Sequence, residues 1–540
     1  MSRREIDCWS RMEPPEGDLL AVPWARAEEA DTLDLVLAQT RRFLLREVDP
    51  VAIDEAHRIP DSVREAASAL GLFALTIPEW AGGLGLTLQA ASRVVEEIAL
   101  VDRSVAVMVG LHSGLGTRGL IDAGSDASRA RWLPSMAAGE RVGAFAATEP
   151  SAGSDLMAVS TCAVPDGSFF RVTGEKCFVT NAAFAGLFTV LARTPGLAGG
   201  KSHTLLCIPR DAEGLSVCGE EHKLGIRGSS TGTVRFDDVR VPECDVLGTV
   251  GGGLERAHDV LGWGRTLLSA GCVGTARAAL EATLEHVQRR RQFGKPIGEQ
   301  TLVRNQVADM AATVFTMESL VRWAGVSEHR ARGLGAPSLI AKVFCSEGAF
   351  AVCDQAIQLH GALGFLEPTG IARMLRDCRV TRIFEGANDV LLVRHGAALA
   401  ASSGAPPPPS LVGRVPLDLQ DVAGRWHAAA LEVRTAIADA RRDHGLAVVG
   451  RQLVLEALAR ADVDLRAAAA ALSRGAADPS TRALAEHAGE VLIQRALDRL
   501  QGPLARARAT ERRVTALAES LYGARPERTQ VSSREVRVSS

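Results

Sequence analysis

One carboxylate in the sequence has the surroundings of a catalytic base. Glu385 lies in the segment TRIFEGANDVLL (residues 381–392), between an aromatic residue and a glycine, and apolar residues follow it closely. A carboxyl group in an apolar slot gains proton affinity, so it can accept a proton from a weak carbon acid near neutral pH. The alternative is a solvated surface charge, and this segment alone leaves both interpretations open.

Two other stretches combine small, hydroxyl and aromatic residues in a way that suits a flat ligand with polar edges. In AFAATEPSAGSDL (residues 144–156), Thr148 and Ser154 offer hydroxyls among small residues that let the backbone approach a ligand. In KCFVTN (residues 176–181), Phe178 and Thr180 place an aromatic ring and a hydroxyl at a strand end. Taken separately, each stretch also fits an ordinary strand followed by a polar turn.

A basic segment, RRRQFGKPI (residues 289–297), ends a long helical pattern. Arg290 and Phe293 would suit a ligand that carries both a phosphate and an aromatic ring. The alternative is a solvated basic helix end. The glycines of TVGGGLERA (residues 249–257) lack the GxGxxG register, and the sequence contains no Walker motif and no GxSxG elbow.

The elements that must position these residues alternate between helix and strand. Apolar spacing predicts a helical domain over residues 30–144, a β domain over 145–248 and a helical domain over 253–400. A proline-rich linker over 401–415 and a further helical domain over 416–525 follow. Within the β domain, SFFRVTGEKCFVTNAA predicts a hairpin whose turn lies at residues 173–176.

Composition excludes several classes of protein. The 540 residues are 46% hydrophobic and 23% charged, with a net charge of −3, so nothing points to nucleic acid. We find no uncharged apolar run of about 18 residues. The N-terminus lacks the pattern of a signal or transit peptide. Ten Cys without metal-binding spacing predict reduced thiols, no metal site and a cytoplasmic location.

Together, the motifs resemble the acyl-CoA dehydrogenase family. They are AFAATEPSAGSDL, KCFVTN, RRQFGKPI, QLHGALGF and MLRDCRVTRIFEGAND, and they follow the family order over residues 35–400. The helical extension resembles that of the very-long-chain subgroup. The resemblance implies a mainly α fold with a β-barrel-like middle domain: a helical N-domain, a β domain, a four-helix C-domain and an extra C-terminal helical domain.

The resemblance also implies a reaction, namely FAD-dependent α,β-dehydrogenation of a long-chain acyl-CoA in fatty acid β-oxidation. Glu385 matches the family's α-proton base. One branch of the family places its base at the position of Gly264, which cannot serve here. The cofactor-binding matches are Phe145, Thr148, Phe178, Thr180, Arg290, Phe293, Gln358, Ala362, Ala387 and Asp389, and the substrate-binding matches are Ser154, Leu261 and Arg265.

Several positions depart from the family pattern. Ala387 replaces a common Thr, Ala362 a Gly, and Thr301 a Gln; Gly262 stands where a polar residue is usual. Each departure removes a contact rather than the base. One lost hydrogen bond is typically worth about 0.5–1.5 kcal/mol, so we expect weaker FAD retention with the chemistry kept.

The implied partners are an electron-transferring flavoprotein and a second copy of the chain, because Arg290 and Phe293 match residues that reach the FAD of a neighbouring subunit. Two roles for the C-terminal extension stay open: packing on the dimer, or contact with a membrane surface through its Arg-rich helices. Two other functions also stay open: a scaffold or assembly protein with a decayed flavin site, and a related flavoenzyme that uses oxygen.

Overall fold

A computed structural model describes residues 27–197, 202–327, 334–402 and 410–505, together with 507, 513 and 516–520. It contains helices, a sheet and more helices in the order that the sequence predicts. The exact domain boundaries stay predictions. Residues 403–409 of the predicted linker, and much of the last predicted domain beyond residue 505, lie outside the described residues.

The N-terminal region is helical. Its helices are α1 (Ala30–Glu47), α2 (Pro50–Ala56), α3 (Asp61–Ala69), α4 (Leu88–Ala99), α5 (Arg103–Leu111), α6 (Arg118–Ala123) and α7 (Asp126–Ala137). Side-chain caps fix two of the starts: Thr87 accepts a hydrogen bond from the Ala90 N–H, and Asp102 accepts one from the Val105 N–H. These caps set where α4 and α5, which both reach the candidate site, begin.

The middle region is a curled seven-stranded sheet. Its strands are β1 (Val142–Ala146), β2 (Cys162–Asp166), β3 (Phe169–Thr180), β4 (Ala185–Arg193), β5 (His203–Pro209), β6 (Leu215–Cys218) and β7 (Thr231–Pro242). The strand order is β1-β4-β2-β3-β7-β6, and β5 pairs with β4. The apolar faces enclose a core of their own inside the curl.

The predicted hairpin turn at residues 173–176 is wrong. β3 runs without a break through these residues, and the chain reverses earlier, at Gly167, between β2 and β3. Gly174 lies at a register shift against β7, where a Cβ atom would come within 2.5 Å of the Thr161 hydroxyl oxygen. The glycine is therefore needed for the close approach of Thr161, the residue before β2, and not for a turn.

The C-terminal region is built on a helix of 37 residues. It contains α8 (Gly253–Arg289), a small hairpin of β8 (Arg291–Gln292) and β9 (Lys295–Pro296), then α9 (Thr301–Ser327), α10 (Gly335–His360), α11 (Ala362–Phe365), α12 (Ile371–Arg379) and α13 (Asn388–Ala401). By length and composition, α10 could span a bilayer, but most of it is buried against its neighbours, as in a core helix.

The extension contributes α14 (Gln420–His444), α15 (Gln452–Ala477) and α16 (Arg482–Arg499). These helices share one apolar core with α8, α9, α10 and α13. Polar contacts support that core: His395 Nε2 lies 2.7 Å from Asp462 Oδ2, and Arg474 Nη1 lies 2.8 Å from Glu318 Oε2. The extension is thus packed on the chain's own C-terminal helices.

Candidate active site

Glu385 occupies a strained backbone position between a 3₁₀ turn (Val380–Arg382) and α13. Its φ angle is +56°, and that of Gly386 is +103°. Glycine adopts such angles readily, but a glutamate in the left-handed region is uncommon and costs free energy. Residues held in this way are often functional, and the surrounding structure has to stabilise them.

Two long side chains provide that stabilisation from two different helices. Arg265 Nε, on α8, donates a hydrogen bond to the Glu385 carbonyl oxygen at 2.9 Å. Lys342 Nζ, on α10, donates to the Gly386 carbonyl at 2.7 Å and to Asn388 Oδ1 at 2.6 Å. The two backbone carbonyls that follow the Glu385 Cα atom are therefore held by buried cations.

The carboxyl group itself lies in an apolar slot. Glu385 Oε2 is buried and has no hydrogen-bond partner among the residues that the structure describes. A Cβ atom on Gly264 would lie 2.7 Å from this oxygen and 2.5 Å from Leu115 Cδ2, so the slot exists because residue 264 is a glycine. Burial raises the pKa of Glu385 to about 7, although Arg265 and Lys342 oppose the rise. The solvated-surface alternative is thus not what the geometry shows.

Lys342 is a site residue that the sequence analysis missed. Burial lowers the pKa of its ammonium to about 7, while the nearby Glu385 carboxylate opposes that change. Its partner Asn388 in turn donates to Ser346 Oγ and Glu347 Oε1, at 3.0 and 2.9 Å. A lone lysine inside the apolar run SLIAKVFC was the available signal, because an unpaired lysine is rarely buried.

The predicted aromatic wall lies at one end of the sheet. Phe178 has a φ of +56° at an irregularity in the β3–β7 pairing, which turns its ring outward and leaves it 62% exposed. The Cys177 N–H donates to the Thr148 carbonyl oxygen at 2.9 Å, so Thr148 lies next to Phe178. Thr180, two residues further along β3, is half-buried. The structure brings these three residues together at one end of the sheet.

A buried ion pair anchors the loop after β1. Lys176 Nζ lies 2.7 Å from Glu149 Oε1, and Glu149 Oε2 accepts hydrogen bonds from the backbone N–H and the hydroxyl of Ser160. Burial raises the pKa of Glu149, but the hydrogen bonds from Lys176 and Ser160 outweigh it and lower the pKa to about 2. This charged glutamate therefore links the loop after β1 to β3 and to Ser160.

An apolar contact connects strand β1 of the sheet with the slot of Glu385. Phe145, on β1, packs against a small cluster that contains Leu115 and Leu261. Leu115 also borders the slot of Glu385 at Gly264. Of the predicted site residues, Phe145 and Leu261 are thus connected to the Glu385 slot within one chain.

Four predicted cofactor residues lie far from Arg265 and Lys342, which contact the Glu385 loop. Arg290 and Phe293 follow the C-terminal end of α8, about 37 Å along that helix from Arg265. Gln358 and Ala362 are near the end of α10, about 24 Å along it from Lys342. His286 and His360 stack at 4.3 Å, which places these two helix ends side by side. These four residues form a second group.

The remaining predicted residues have ordinary surroundings. Ser154 and Asp389 are exposed. Ala387 is the residue before α13, and its carbonyl oxygen accepts a hydrogen bond from the Leu391 N–H in the first turn of that helix. Arg265 is buried and contacts the base loop; its predicted contact with CoA stays a prediction, as do the roles of the other residues. Over the described part of the chain, no cluster of three or more His, Cys, Asp or Glu could hold a metal ion.

Three family models match consecutive parts of the chain. They describe the N-terminal domain (residues 30–140), the middle domain (144–239) and the C-terminal domain (251–399) of acyl-CoA dehydrogenases.

Individual proteins agree with these matches. A very long-chain specific mitochondrial acyl-CoA dehydrogenase of Mus musculus is 34% identical over 372 residues, which are 67% of this chain but only 57% of that protein. A cyclohex-1-ene-1-carbonyl-CoA dehydrogenase of Syntrophus aciditrophicus is 34% identical over 68% of this chain and 89% of its own length. The crystal structure of an acyl-CoA dehydrogenase complexed with FAD from Bacillus anthracis superposes with a TM-score of 0.80, at 25% identity and over 92% of each chain. Coverage this high takes in most of the C-terminal extension.

Proposed function

Because this chain belongs to the acyl-CoA dehydrogenase family, we propose that it oxidises the Cα–Cβ bond of an acyl-CoA to give a trans-2-enoyl-CoA. The observation that carries the proposal is the Glu385 carboxyl group: its Oε2 is buried and lacks a hydrogen-bond partner in the described structure, and two cations bind the backbone carbonyls of Glu385 and Gly386 beside it. A carboxylate with these properties can remove the weakly acidic α-proton of a thioester.

The backbone of Glu385 supports the same step. Its N–H donates to no carbonyl of the described residues, which leaves it available to the thioester carbonyl oxygen. Such a donor stabilises the negative charge that develops on that oxygen when the α-proton leaves. Through the Glu385 and Gly386 carbonyls, Arg265 and Lys342 hold the backbone that carries both this N–H and the carboxyl group, which limits the reorganisation that the reaction requires.

The sheet end has the chemistry that FAD needs. The hydroxyls of Thr148 and Thr180 make no hydrogen bond to described protein groups, and the exposed ring of Phe178 lies beside them. These residues would hold the polar edge and the face of the flavin ring. Bound FAD would accept the hydride that leaves Cβ. Ala387 and Ala362 offer no side-chain hydrogen bond, so we expect looser retention of the cofactor.

An anaerobic absorbance titration tests the proposal. Purified, FAD-reconstituted protein should be yellow, and addition of an acyl-CoA should bleach the flavin with formation of the enoyl product. A protein that refuses FAD, or whose flavin no acyl-CoA bleaches, would contradict the proposal and favour the scaffold hypothesis. Rapid reoxidation by air would favour the oxygen-using alternative, whereas an electron-transferring flavoprotein is the acceptor that we propose.

The rate of flavin reduction should depend on pH through Glu385. Because burial raises the pKa of this base to about 7, the protonated and inactive form dominates below that pH. The single-turnover rate should rise about tenfold per pH unit up to about pH 7 and level off above it. Stopped-flow absorbance between pH 5.5 and 9 measures this profile. In Lys342→Met, loss of the cation should raise the pKa of Glu385 and move the inflection to higher pH. A flat profile for the native protein, or the same inflection in both proteins, would contradict the assignment of Glu385 as the base.

We also propose that two copies of the chain complete each cofactor site. Arg290, Phe293, Gln358 and Ala362 are too far along α8 and α10 to reach the Thr148 end within one chain. Phe293 has a φ of +52° in the β8–β9 turn and is 93% exposed, as expected of an aromatic group that contacts another subunit.

Substitution of Phe293 should separate cofactor binding from folding. Phe293→Ser should weaken FAD binding about tenfold, because it removes an aromatic contact worth about 1–2 kcal/mol. It should barely change the melting temperature of the apoprotein, since the ring has little contact within its own chain. Fluorescence titration with FAD measures the affinity for the cofactor, and sedimentation shows whether each variant is still a dimer. Leu417→Ser, at an equally exposed apolar residue, is the matched control. Equal FAD affinities for both variants would contradict the shared site.

The proposal also covers the pathway, the location and the extension. A role in β-oxidation and a cytoplasmic location follow from the reaction class and the free cysteines, and all nine cysteines within the described ranges are thiols. Since the extension packs on the chain's own helices, contact with a membrane surface is not needed to explain it. The scaffold hypothesis has less support than catalysis, because the base and its buried partners are intact.

A further inference from the structure

Two imidazoles stack where the ends of α8 and α10 lie side by side. The ring centroids of His286 and His360 are 4.3 Å apart, and the ring planes make an angle of 27°. Each histidine lies in the last turn of its helix and is partly buried. A protonated imidazole is favourable at a helix C-terminus, but two in contact repel each other. The pair can therefore carry charge only when an anion lies beside it.

The hydrogen bond of His360 fixes which of its ring nitrogens can meet a ligand. Nδ1 lies 2.7 Å from the Ala356 carbonyl oxygen. Because a carbonyl oxygen only accepts, Nδ1 carries a hydrogen, and Nε2 of the neutral ring is an acceptor. Neither Nε2 nor a ring nitrogen of His286 makes a hydrogen bond to a group that the structure describes. His360 can thus donate to a ligand oxygen only after Nε2 has taken up a proton.

The charges that act on His286 are positive. Burial, His360 and the exposed Arg290, one turn further along the chain, lower the pKa of His286 below its usual value. On α8 itself, Glu285 and Arg289 pair with each other. The other charged groups on the adjoining elements are Arg291 and Lys295 in the hairpin, Glu299 in the turn after it, Arg304 on α9, Asp354 on α10 and Glu367 after α11. None of them makes a hydrogen bond or an ion pair with either imidazole in the described structure.

FAD carries an anion of the kind that this place can bind. Its flavin is joined through a diphosphate to adenosine, and Arg290 and Phe293 suit a phosphate and an aromatic ring. The two helix ends that carry the imidazoles also carry these residues and Gln358. Helix C-termini present carbonyl oxygens, which disfavour an anion unless cations accompany it. One exposed guanidinium beside two helix ends leaves a role for further positive charge.

We infer that His286 and His360 bind the FAD diphosphate as protonated imidazoles, so that binding of the cofactor takes up protons. The inference rests on the proposed shared cofactor site and adds two residues and a pH dependence to it. In the free protein the pKa of His286 is lowered, so its ring is mainly neutral at neutral pH. A diphosphate beside the rings favours their charged form and raises their pKa. Affinity for FAD should therefore be highest at low pH and fall as the pH rises.

Calorimetric titration of the full-length, FAD-free protein with FAD tests the inference. Titrations in buffers of different ionisation enthalpy give the number of protons taken up, and the FAD diphosphate is itself fully ionised between pH 6 and 8. The native chain should take up about 0.5–2 protons per FAD, and its Kd should rise about tenfold or more from pH 6 to pH 8. In the double variant His286→Phe with His360→Phe, an aromatic stack remains, but uptake should fall by at least about half a proton and the Kd should vary less than about threefold. His444→Phe, at a partly buried histidine in the last turn of α14, should behave as the native chain.

ADP-ribose separates this inference from the proposed function, because it has the diphosphate and the adenine of FAD but no flavin. If no acyl-CoA bleaches the flavin, or FAD itself is refused, while ADP-ribose binds with a proton uptake that the double variant loses, the dehydrogenase proposal fails and the diphosphate site stands. If the native chain takes up no proton with either ligand, or the double variant takes up as many as the native chain, the inference is overturned and the stack is packing alone. If neither ligand binds between pH 6 and 8, the inference is likewise overturned. The native measurement can refute the inference by itself, so the test does not depend on the folding of the variants.

Discussion

Glu385→Gln should lower the rate of flavin reduction by acyl-CoA about 10²–10⁴-fold, the usual contribution of a general base. The amide has the size and shape of the carboxyl group, so the Arg265 and Lys342 contacts with the Glu385 and Gly386 carbonyls should persist. FAD absorbance and thioester binding should change little. The variant also removes a buried carboxylate, so its melting temperature above pH 7 should equal or exceed that of the native chain.

Single-turnover absorbance with a saturating thioester measures this loss. Glu281→Gln, at an exposed glutamate on the same long helix, is the control, and it should keep the native rate. A Glu385→Gln protein that bleaches at more than about a tenth of the native rate would show that another group removes the proton. In that case the raised pKa of Glu385 would be a consequence of burial without a role in catalysis.

The unusual surroundings of Glu385 could be predicted from the sequence because their determinants are contiguous. The aromatic residue before Glu385 and the glycine after it already indicate an apolar slot and an unusual backbone, and the structure shows both. The strand end with Phe178 and Thr148 could be predicted for a similar reason: each half of it lies in one short motif. Local sequence therefore carries most of the information about the Glu385 loop and about this end of the sheet.

The partners of the base could not be predicted in this way. Lys342 lies 43 residues before Glu385 and Arg103 lies 282 before it, and both look like ordinary helix residues until the helices are packed. Gly174 illustrates the same limit in the sheet: its surroundings in the sequence indicate a turn, whereas the approach of Thr161 requires a glycine inside a strand. Contacts between distant elements decide these positions, and a single sequence does not record them.

The buried charges around Glu385 have a common consequence. Arg265, Lys342 and Arg103 all favour the ionised carboxylate, while desolvation favours the protonated form. The balance between these two effects sets the pKa of Glu385 near neutrality.

Gly264→Ala should produce the second-largest loss of activity, even though it adds a single methyl group. The new Cβ atom would lie 2.7 Å from Glu385 Oε2 and 2.5 Å from Leu115 Cδ2, both closer than real contacts allow. Helix α8 is buried along this face and cannot retreat, so the carboxyl group has to move. Overpacking costs about 1–3 kcal/mol, and a displacement of about 1 Å at a reacting group can cost about 10²-fold in rate.

Single-turnover rates and thermal melts of the native protein and of Gly264→Ala distinguish displacement of the Glu385 carboxyl group from general destabilisation. Gly424→Ala is the matched control, because that helical glycine has open space around its Cβ position. It should keep the native rate and raise stability by up to about 1 kcal/mol, through the better helix propensity of alanine. If Gly264→Ala kept the native rate, the slot would be loose enough for the carboxyl group to shift freely. Fixed positioning by Arg265 and Lys342 could then not explain the activity of the base.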